Sequence, residues 1–267
     1  MAYPTDLHPR HKEGDLFLGD RGFCSFAHLA LLAGQKLHGL FRLHQKVLVS
    51  FRPHRKWAHP KDRKAKGLPR SKWLRRLGFH DQVVLWHKPV SRPGWMSKEE
   101  YANLPETLEV RELRYKIGTK GFRTKEVTLV TTLLDPEVYP AEELADLYGK
   151  RWQVETNLRH LKTTMKMETL HSKSLEGIEK ELMVFALAYN LVRAVMVVAA
   201  ERQGVPIERV SFVDALRWLL AGADPDRLDH LVVNPDRSGR CEPRAVKRRP
   251  KQYRRLTQPR KKAKEQL

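Results

Sequence analysis

Tyr148-Gly149-Lys150-Arg151-Trp152-Gln153-Val154-Glu155, continuing through Asn157 and Leu158 to Lys162, is the stretch around which the chain is organised. An α-helix advances about 100° per residue, so Tyr148, Arg151, Glu155 and Lys162 fall within an arc of roughly 60°. One face of that helix then carries a phenol, a guanidinium, a carboxylate and an ammonium. Such a row suits a phosphodiester, because cations and a phenol hold phosphate oxygens while a carboxylate binds a divalent metal. The same row also describes a solvated helix with Arg–Glu and Glu–Lys pairs worth a few tenths of a kcal/mol each. Spacing alone leaves both readings open.

The spacing Tyr-x2-Arg-x3-Glu-x6-Lys resembles the signature of the insertion-sequence-four family of DDE transposases, and all four positions match. Other segments share the likeness: Asp20-Arg21-Gly22-Phe23, Thr131-Thr132-Leu133-Leu134-Asp135, Ala188-Tyr189-Asn190-Leu191 and the basic run Glu242 to Pro250. The resemblance implies an α/β fold with an RNase H-like core, in which two Asp and one Glu hold divalent metal, normally Mg²⁺. Carried over by position, it makes Asp20 and Glu155 the metal-binding catalytic carboxylates. Tyr148, Arg151 and Lys162 become the residues that hold phosphates at a transposon end. Trp152 either receives an unstacked base or packs in the core.

Charge points the same way. Lys and Arg number 51 against 31 acids, a net +20. Residues 46–76 hold 12 cations and 1 acid, and residues 237–267 hold 13 and 2, so these two segments carry the whole excess. A clustered cationic surface is the footprint of a polyanionic partner, here DNA. Between the cations of the first segment lie Trp57 and Trp73, which either stack on bases or pack beneath a loop. We expect residues 45–78 to form a flexible DNA-contacting loop. Cys24 and Cys241 form neither a disulfide framework nor a zinc pattern. The histidines lack metal-ligand spacing on any one element and read as surface or DNA-facing donors. No apolar run approaches the ~20 residues of a membrane span, and the N-terminus lacks a signal-peptide core. The expected setting is the cytoplasm, at the nucleoid, with no membrane partner.

In chain order, Asp15 to Asp20 reads as a strand ending in a carboxylate. Ser25 caps a helix over 26–33, and a second strand covers 37–43, which makes a parallel crossover unit. Strand patterns follow at 82–87, 108–115 and 126–134, with a turn at 118–121. Pro140 opens the signature helix, whose stripe of Leu144, Leu147, Val154, Leu158 and Leu161 is expected to bury against the sheet. Helices over about 174–203 and 211–220 follow, with Trp218 in the core. The expected organisation is a partial core at 1–44, a basic β-rich insertion at 45–135, the signature and C-terminal helices at 136–235, and a basic tail at 236–267.

The resemblance also implies a first Asp on a strand upstream of Asp20. Only nineteen residues precede Asp20, with Asp6, Glu13 and Asp15 as the acids available. Asp15 lies five residues away along one extended strand, roughly 16 Å, too far to share a metal across it. The expectation is therefore a core lacking its N-terminal strands, from a truncated transposase or the downstream product of a split gene. Two functions remain open: a DNA-cleaving and strand-joining enzyme that pairs transposon ends as a homodimer and acts on target DNA, or a non-catalytic DNA-binding remnant that occupies those ends. RNA binding is a weaker third.

Overall fold

The computed structural model describes residues 11–62, 67–117, 126–222 and 228. The turn expected at 118–121 and the basic tail from 236 lie outside them.

Two strands and a helix open the structure: β1 (Leu16–Gly19), α1 (Phe26–Gly34) and β2 (His38–Arg42). The β1 and β2 strands pair in parallel, Leu16 beside His38 and Gly19 beside Phe41, as a strand–helix–strand crossover requires. Ser25 caps α1 by accepting a hydrogen bond from the His28 N–H at 3.2 Å. The Phe41 ring lies against the backbone of both strands. A Cβ on Gly19 or on Gly39 would come within 2.5 Å of that ring, so only glycine permits the approach. The His28 ring packs beside Phe41 and bonds the Phe23 carbonyl through Nδ1 at 3.1 Å, holding the turn that follows Asp20.

The sheet continues through β3 (Ser71–Gly78), β4 (Asp81–His87), β5 (Thr107–Lys116) and β6 (Glu126–Thr131), with α2 (Lys98–Asn103) between β4 and β5. Six strands lie in the order β1-β2-β6-β5-β4-β3, and every pairing except β1–β2 is antiparallel. The strands of the β-rich stretch thus extend the same sheet that carries β1. Thr132 clasps the junction: its hydroxyl accepts from the Gly39 N–H and meets His38 Nδ1, both at 3.2 Å.

Two expectations for the basic stretch need correction. Residues 71–78 form an edge strand, because every second or third residue of the run is apolar enough to lie against β4. The preceding loop is held to the sheet. Gln82 donates to the Ser50 carbonyl at 3.0 Å, Arg55 donates to the Ser71 hydroxyl at 2.7 Å, and the Ala58 N–H to the Pro69 carbonyl at 2.8 Å. Trp57 stacks on His87 at 4.7 Å and Trp73 packs against His54 at 4.4 Å. The histidines are therefore not simply surface donors; His28 is buried in the core.

Four helices follow: α3 (Ala141–Lys150), α4 (Trp152–Arg159), α5 (Leu175–Gln203) and α6 (Phe212–Leu220). Ser174 and Ser211 cap α5 and α6, and Gly204, at φ 62°, ends α5 in the left-handed conformation that favours glycine. Leu144 and Tyr148 of α3 share an apolar cluster with Leu40, Leu113 and Leu129 of the sheet, and Leu16 of β1 packs against it. A separate cluster joins Val192, Met196, Ala199 and Ala200 of α5 to Phe212 and Ala215 of α6, with Trp218 packed at its margin.

The stripe expected along the signature helix is only half buried. Leu144 and Leu147 pack on the sheet, whereas Val154 and Leu158 are exposed. The cause is local. The Arg151 N–H bonds the Tyr148 carbonyl and the Val154 N–H bonds the Arg151 carbonyl, each three residues apart at 3.1 Å, so the helix tightens there. It then loosens into a π-helical turn at His160–Thr164. The tightening at Arg151 rotates Val154 and Leu158 off the first face, and the π-helical turn shifts the residues that follow it.

The longest described helix, α5, is strongly apolar. Its 29 residues include an 18-residue window of mean hydropathy 2.0, of which 17% is buried, a length and composition that membrane spans share with core helices of soluble proteins. Asn190 and Arg193 interrupt the apolar run without lowering its average below that of such helices.

Candidate nucleic-acid and metal site

Asp20 follows directly on β1 and is exposed. Its Oδ1 accepts from the Gly22 N–H at 2.7 Å and its carbonyl accepts from the Phe23 N–H at 3.1 Å, so a tight turn aims the carboxylate. Leu16 of β1 packs against the cluster that holds Tyr148, so α3 covers the face of the sheet to which Leu16 points.

Tyr148 is buried, and its hydroxyl makes no hydrogen bond of ordinary geometry. Burial pushes its pKa up, against the opposing pull of the Arg151 and Arg42 charges, so the phenol stays a neutral donor at neutral pH. The Arg151 guanidinium lies 5.7 Å from the Tyr148 ring centre and donates to Glu155 Oε1 at 2.8 Å. Burial works against the guanidinium's charge. The hydrogen bond to Glu155 and the neighbouring Tyr148 outweigh it, and the pKa of Arg151 rises. Tyr148, Arg151 and Glu155 are thus contiguous.

Lys162 sits in the π-helical turn and is exposed. No hydrogen bond or ion pair to the Arg151–Glu155 pair is formed by it. Trp152 is 56% exposed, so of its two readings the structure favours a ring available for stacking over a core residue.

Sequence reasoning missed Arg42, Tyr115 and Arg114. Burial raises the pKa of both Tyr148 and Tyr115, and the charge of Arg42, at the end of β2, opposes the rise in each, which places that charge beside the signature helix. Arg42 and Arg114 line a cavity of about 210 Å³ together with His44, Gln45, Glu126 and Thr128. A cation at the carboxyl end of an apolar strand, Leu40-Phe41-Arg42, was the available signal.

Exposed carboxylate oxygens are the donor type a hard divalent cation takes. Among the described residues, however, no three His, Cys, Asp or Glu side chains gather where one ion could be held. Glu155 is moreover engaged by Arg151. Donor chemistry fits magnesium; donor number does not.

A family model for the transposase DDE domain matches residues 2–191. The chain belongs to the DDE transposases. It is similar to the transposase InsG of insertion sequence element IS4 from Escherichia coli K12, at 33% identity over 220 residues. That match covers 75% of this chain and 46% of InsG, so the chain spans about half the length of the curated relative, and it places the chain in the IS4 group of the family. No solved structure matches it.

Proposed function

We propose that this transposase chain binds the ends of an insertion sequence and contributes the Tyr148–Arg151–Glu155 row to phosphodiester cleavage and strand transfer. The observation that carries the reading is a buried, neutral phenol in contact with an arginine whose carboxylate partner, Glu155, is exposed. When a phosphate arrives, Arg151 exchanges Glu155 for phosphate oxygens, gaining charge-assisted hydrogen bonds, and Tyr148 donates to the same group. That exchange frees the Glu155 carboxylate. Lys162 holds a neighbouring phosphate, and Trp152 stacks on an unpaired base. Asp20 and Glu155 are the carboxylates that would contribute to holding a divalent cation once further ligands complete the set, and the chemistry such an ion would supply is activation of an attacking oxygen and neutralisation of phosphodiester charge. The parallel pairing of β1 and β2 across α1 supports reading them as part of an RNase H-like core. The setting is the cytoplasm, and pairing two transposon ends calls for a homodimer.

A second reading, a non-catalytic occupant of transposon ends, is favoured by the shortage of clustered carboxylates. Duplex DNA bearing an insertion-sequence end, incubated with the chain and Mg²⁺, separates the two. Cleavage abolished by Glu155→Gln supports the enzyme; end-specific binding without cleavage, lost on Arg151→Ala, supports the occupant. Binding should fall steeply with salt as phosphate contacts release counterions, and a flat response overturns both.

A further inference from the structure

The turn between β3 and β4 consists of Phe79 and His80, since Gly78 and Asp81 are the last paired residues on either side of it. Two-residue hairpin turns ordinarily take Asn-Gly or Asp-Gly, small residues suited to solvent. Here the turn carries a phenyl ring that is 76% exposed. Leaving that ring in water forfeits the gain that burial would bring, and departures of this kind from local rules concentrate at functional places in a chain.

The ring has fixed company. Arg76 bonds the Gly78 carbonyl through Nε at 2.9 Å, and its guanidinium lies 5.9 Å from the centre of the Phe79 ring. The His80 ring lies 4.4 Å from Phe79 and 5.4 Å from Phe51, whose ring in turn meets the Arg114 guanidinium at 5.0 Å. Cations and rings thus follow one another from Arg114 out to Arg76. Arg114 also lines the cavity it shares with Arg42, so the series begins close to the signature helix. Register shifts in β3, between Trp73 and Arg75 and between Arg76 and Gly78, mark irregularities next to the turn, of the kind that re-aim side chains at a sheet edge.

Strand register shows which way the turn faces. Arg42 pairs with Leu129, Leu129 with Leu113, Leu113 with Asp81 and Asp81 with Gly78, a line that crosses the sheet from β2 to β3. Asp20 follows Gly19, the partner of Phe41, and so stands level with Arg42. The Phe79 turn therefore leaves the sheet at the same end as Asp20 and Arg42. Four inter-strand steps separate Arg42 from Gly78, about 19 Å at the usual spacing, or roughly five to six base pairs of duplex. A protein partner would cover the ring and leave the Arg76 charge to be matched. DNA meets both, base planes taking the ring and a flanking phosphate the cation.

We propose that Phe79 is a wedge that enters a base step of the bound duplex, with Arg76 on the phosphate beside it, so that DNA held at Tyr148 and Arg151 is unstacked about five to six base pairs away. This wedge, which rests on reading the chain as a binder of insertion-sequence ends, is a second grip separate from the Tyr148–Arg151–Glu155 row.

Duplexes bearing an insertion-sequence end, each with a fluorescent adenine analogue at one position, report unstacking by brightening. With the full 267-residue chain, emission should rise about five to six base pairs from the end. Phe79→Ala should abolish the rise and weaken binding about fivefold to a hundredfold, with the slope of log affinity against log salt unchanged, and Phe79→Trp should restore both. Arg76→Gln should instead shrink that slope by about one. Because the ring belongs to no apolar cluster of the described core, Phe79→Ala should melt at the temperature of the parent chain. No brightening on any duplex, or unchanged affinity in Phe79→Ala, overturns the proposal. So does a fall in melting temperature that accompanies the lost affinity, or self-association in light scattering that Phe79→Ala removes while DNA affinity stays. End binding lost in Arg151→Ala and indifferent to Phe79→Ala removes the wedge and leaves the proposed function standing. Phe79-dependent brightening on duplexes with and without an end, indifferent to Arg151→Ala, does the reverse.

Discussion

Replacing Arg151 by alanine separates a residue that holds DNA from one that merely decorates a helix. Arg151 and Glu155 meet at 2.8 Å, four residues apart, with side chains 22% and 44% exposed. An exposed pair in that geometry contributes about 0.3–0.5 kcal/mol, and less when the cation precedes the acid. Contact with the Tyr148 ring adds about 0.5–1 kcal/mol, so Arg151→Ala should cost roughly 1 kcal/mol of folding stability. A hydrogen bond to a charged phosphate contributes about 1.5–3 kcal/mol, from which the cost of breaking the pair is subtracted. Affinity for end-bearing DNA should therefore fall about tenfold to a hundredfold, and the slope of log affinity against log salt should shrink by about one. Urea denaturation and fluorescence-anisotropy titration measure the two quantities on the same preparation. Unchanged DNA affinity with stability lowered by more than about 2 kcal/mol would refute the assignment and make the row a structural ion pair.

Gly19→Ala should destabilise by about 1–3 kcal/mol through overpacking, because its Cβ would come within 2.5 Å of the Phe41 ring; the additional change Phe41→Leu should restore much of the loss, read by thermal unfolding. Asp81→Asn should cost about 3–5 kcal/mol in urea unfolding, since it leaves the fully buried Arg111 without the carboxylate that takes its Nε at 2.8 Å. Glu112 is buried, and that burial raises its pKa despite hydrogen bonds from Trp86 and Gln82 and the charges of Arg55 and Arg114. The folded state thus binds this proton more tightly than the unfolded chain, so its contribution is greatest below the ordinary value of 4.5 and is lost as pH rises through the raised one. Comparing wild type with Glu112→Gln across that window by chemical denaturation should show a falling difference; a flat difference refutes the shift.

The parallel unit around β1 was legible because each boundary had a local cause: an apolar run, a serine cap, a second apolar run of the right length. The strands β4, β5 and β6 were legible from alternation. β3 was not, since cations and prolines around Trp73 masked the residues that lie on β4, and hydrogen bonds from distant Gln82 and Arg55 settled where the loop goes. The capping box of α2, in which Ser97 and Glu100 serve each other's backbone N–H, was written in the sequence and was overlooked. At the candidate site the contiguity of Tyr148, Arg151 and Glu155 followed from helical spacing. The drift of Lys162 did not, because tightening at Arg151 and the π-helical turn at His160 are set by packing, with His160 stacked on Phe212 at 4.1 Å. Arg42 escaped notice since its relation to Tyr148 depends on how β2 lies beneath α3.

Arg111 joins distant parts of this arrangement, gripping Asp81 of β4 with one side of its guanidinium and the Tyr139 carbonyl, at the entry to α3, with Nη1 at 2.6 Å. The helix proposed to hold phosphate and the cationic border strand β3 are therefore mounted on one sheet. Three inter-strand steps separate β6, beneath that helix, from β3, about 14 Å at the usual spacing, or on the order of four base pairs of duplex. Under the proposed function, a terminal repeat held at both places would be gauged by that separation, and lengthening a loop would leave the gauge unchanged.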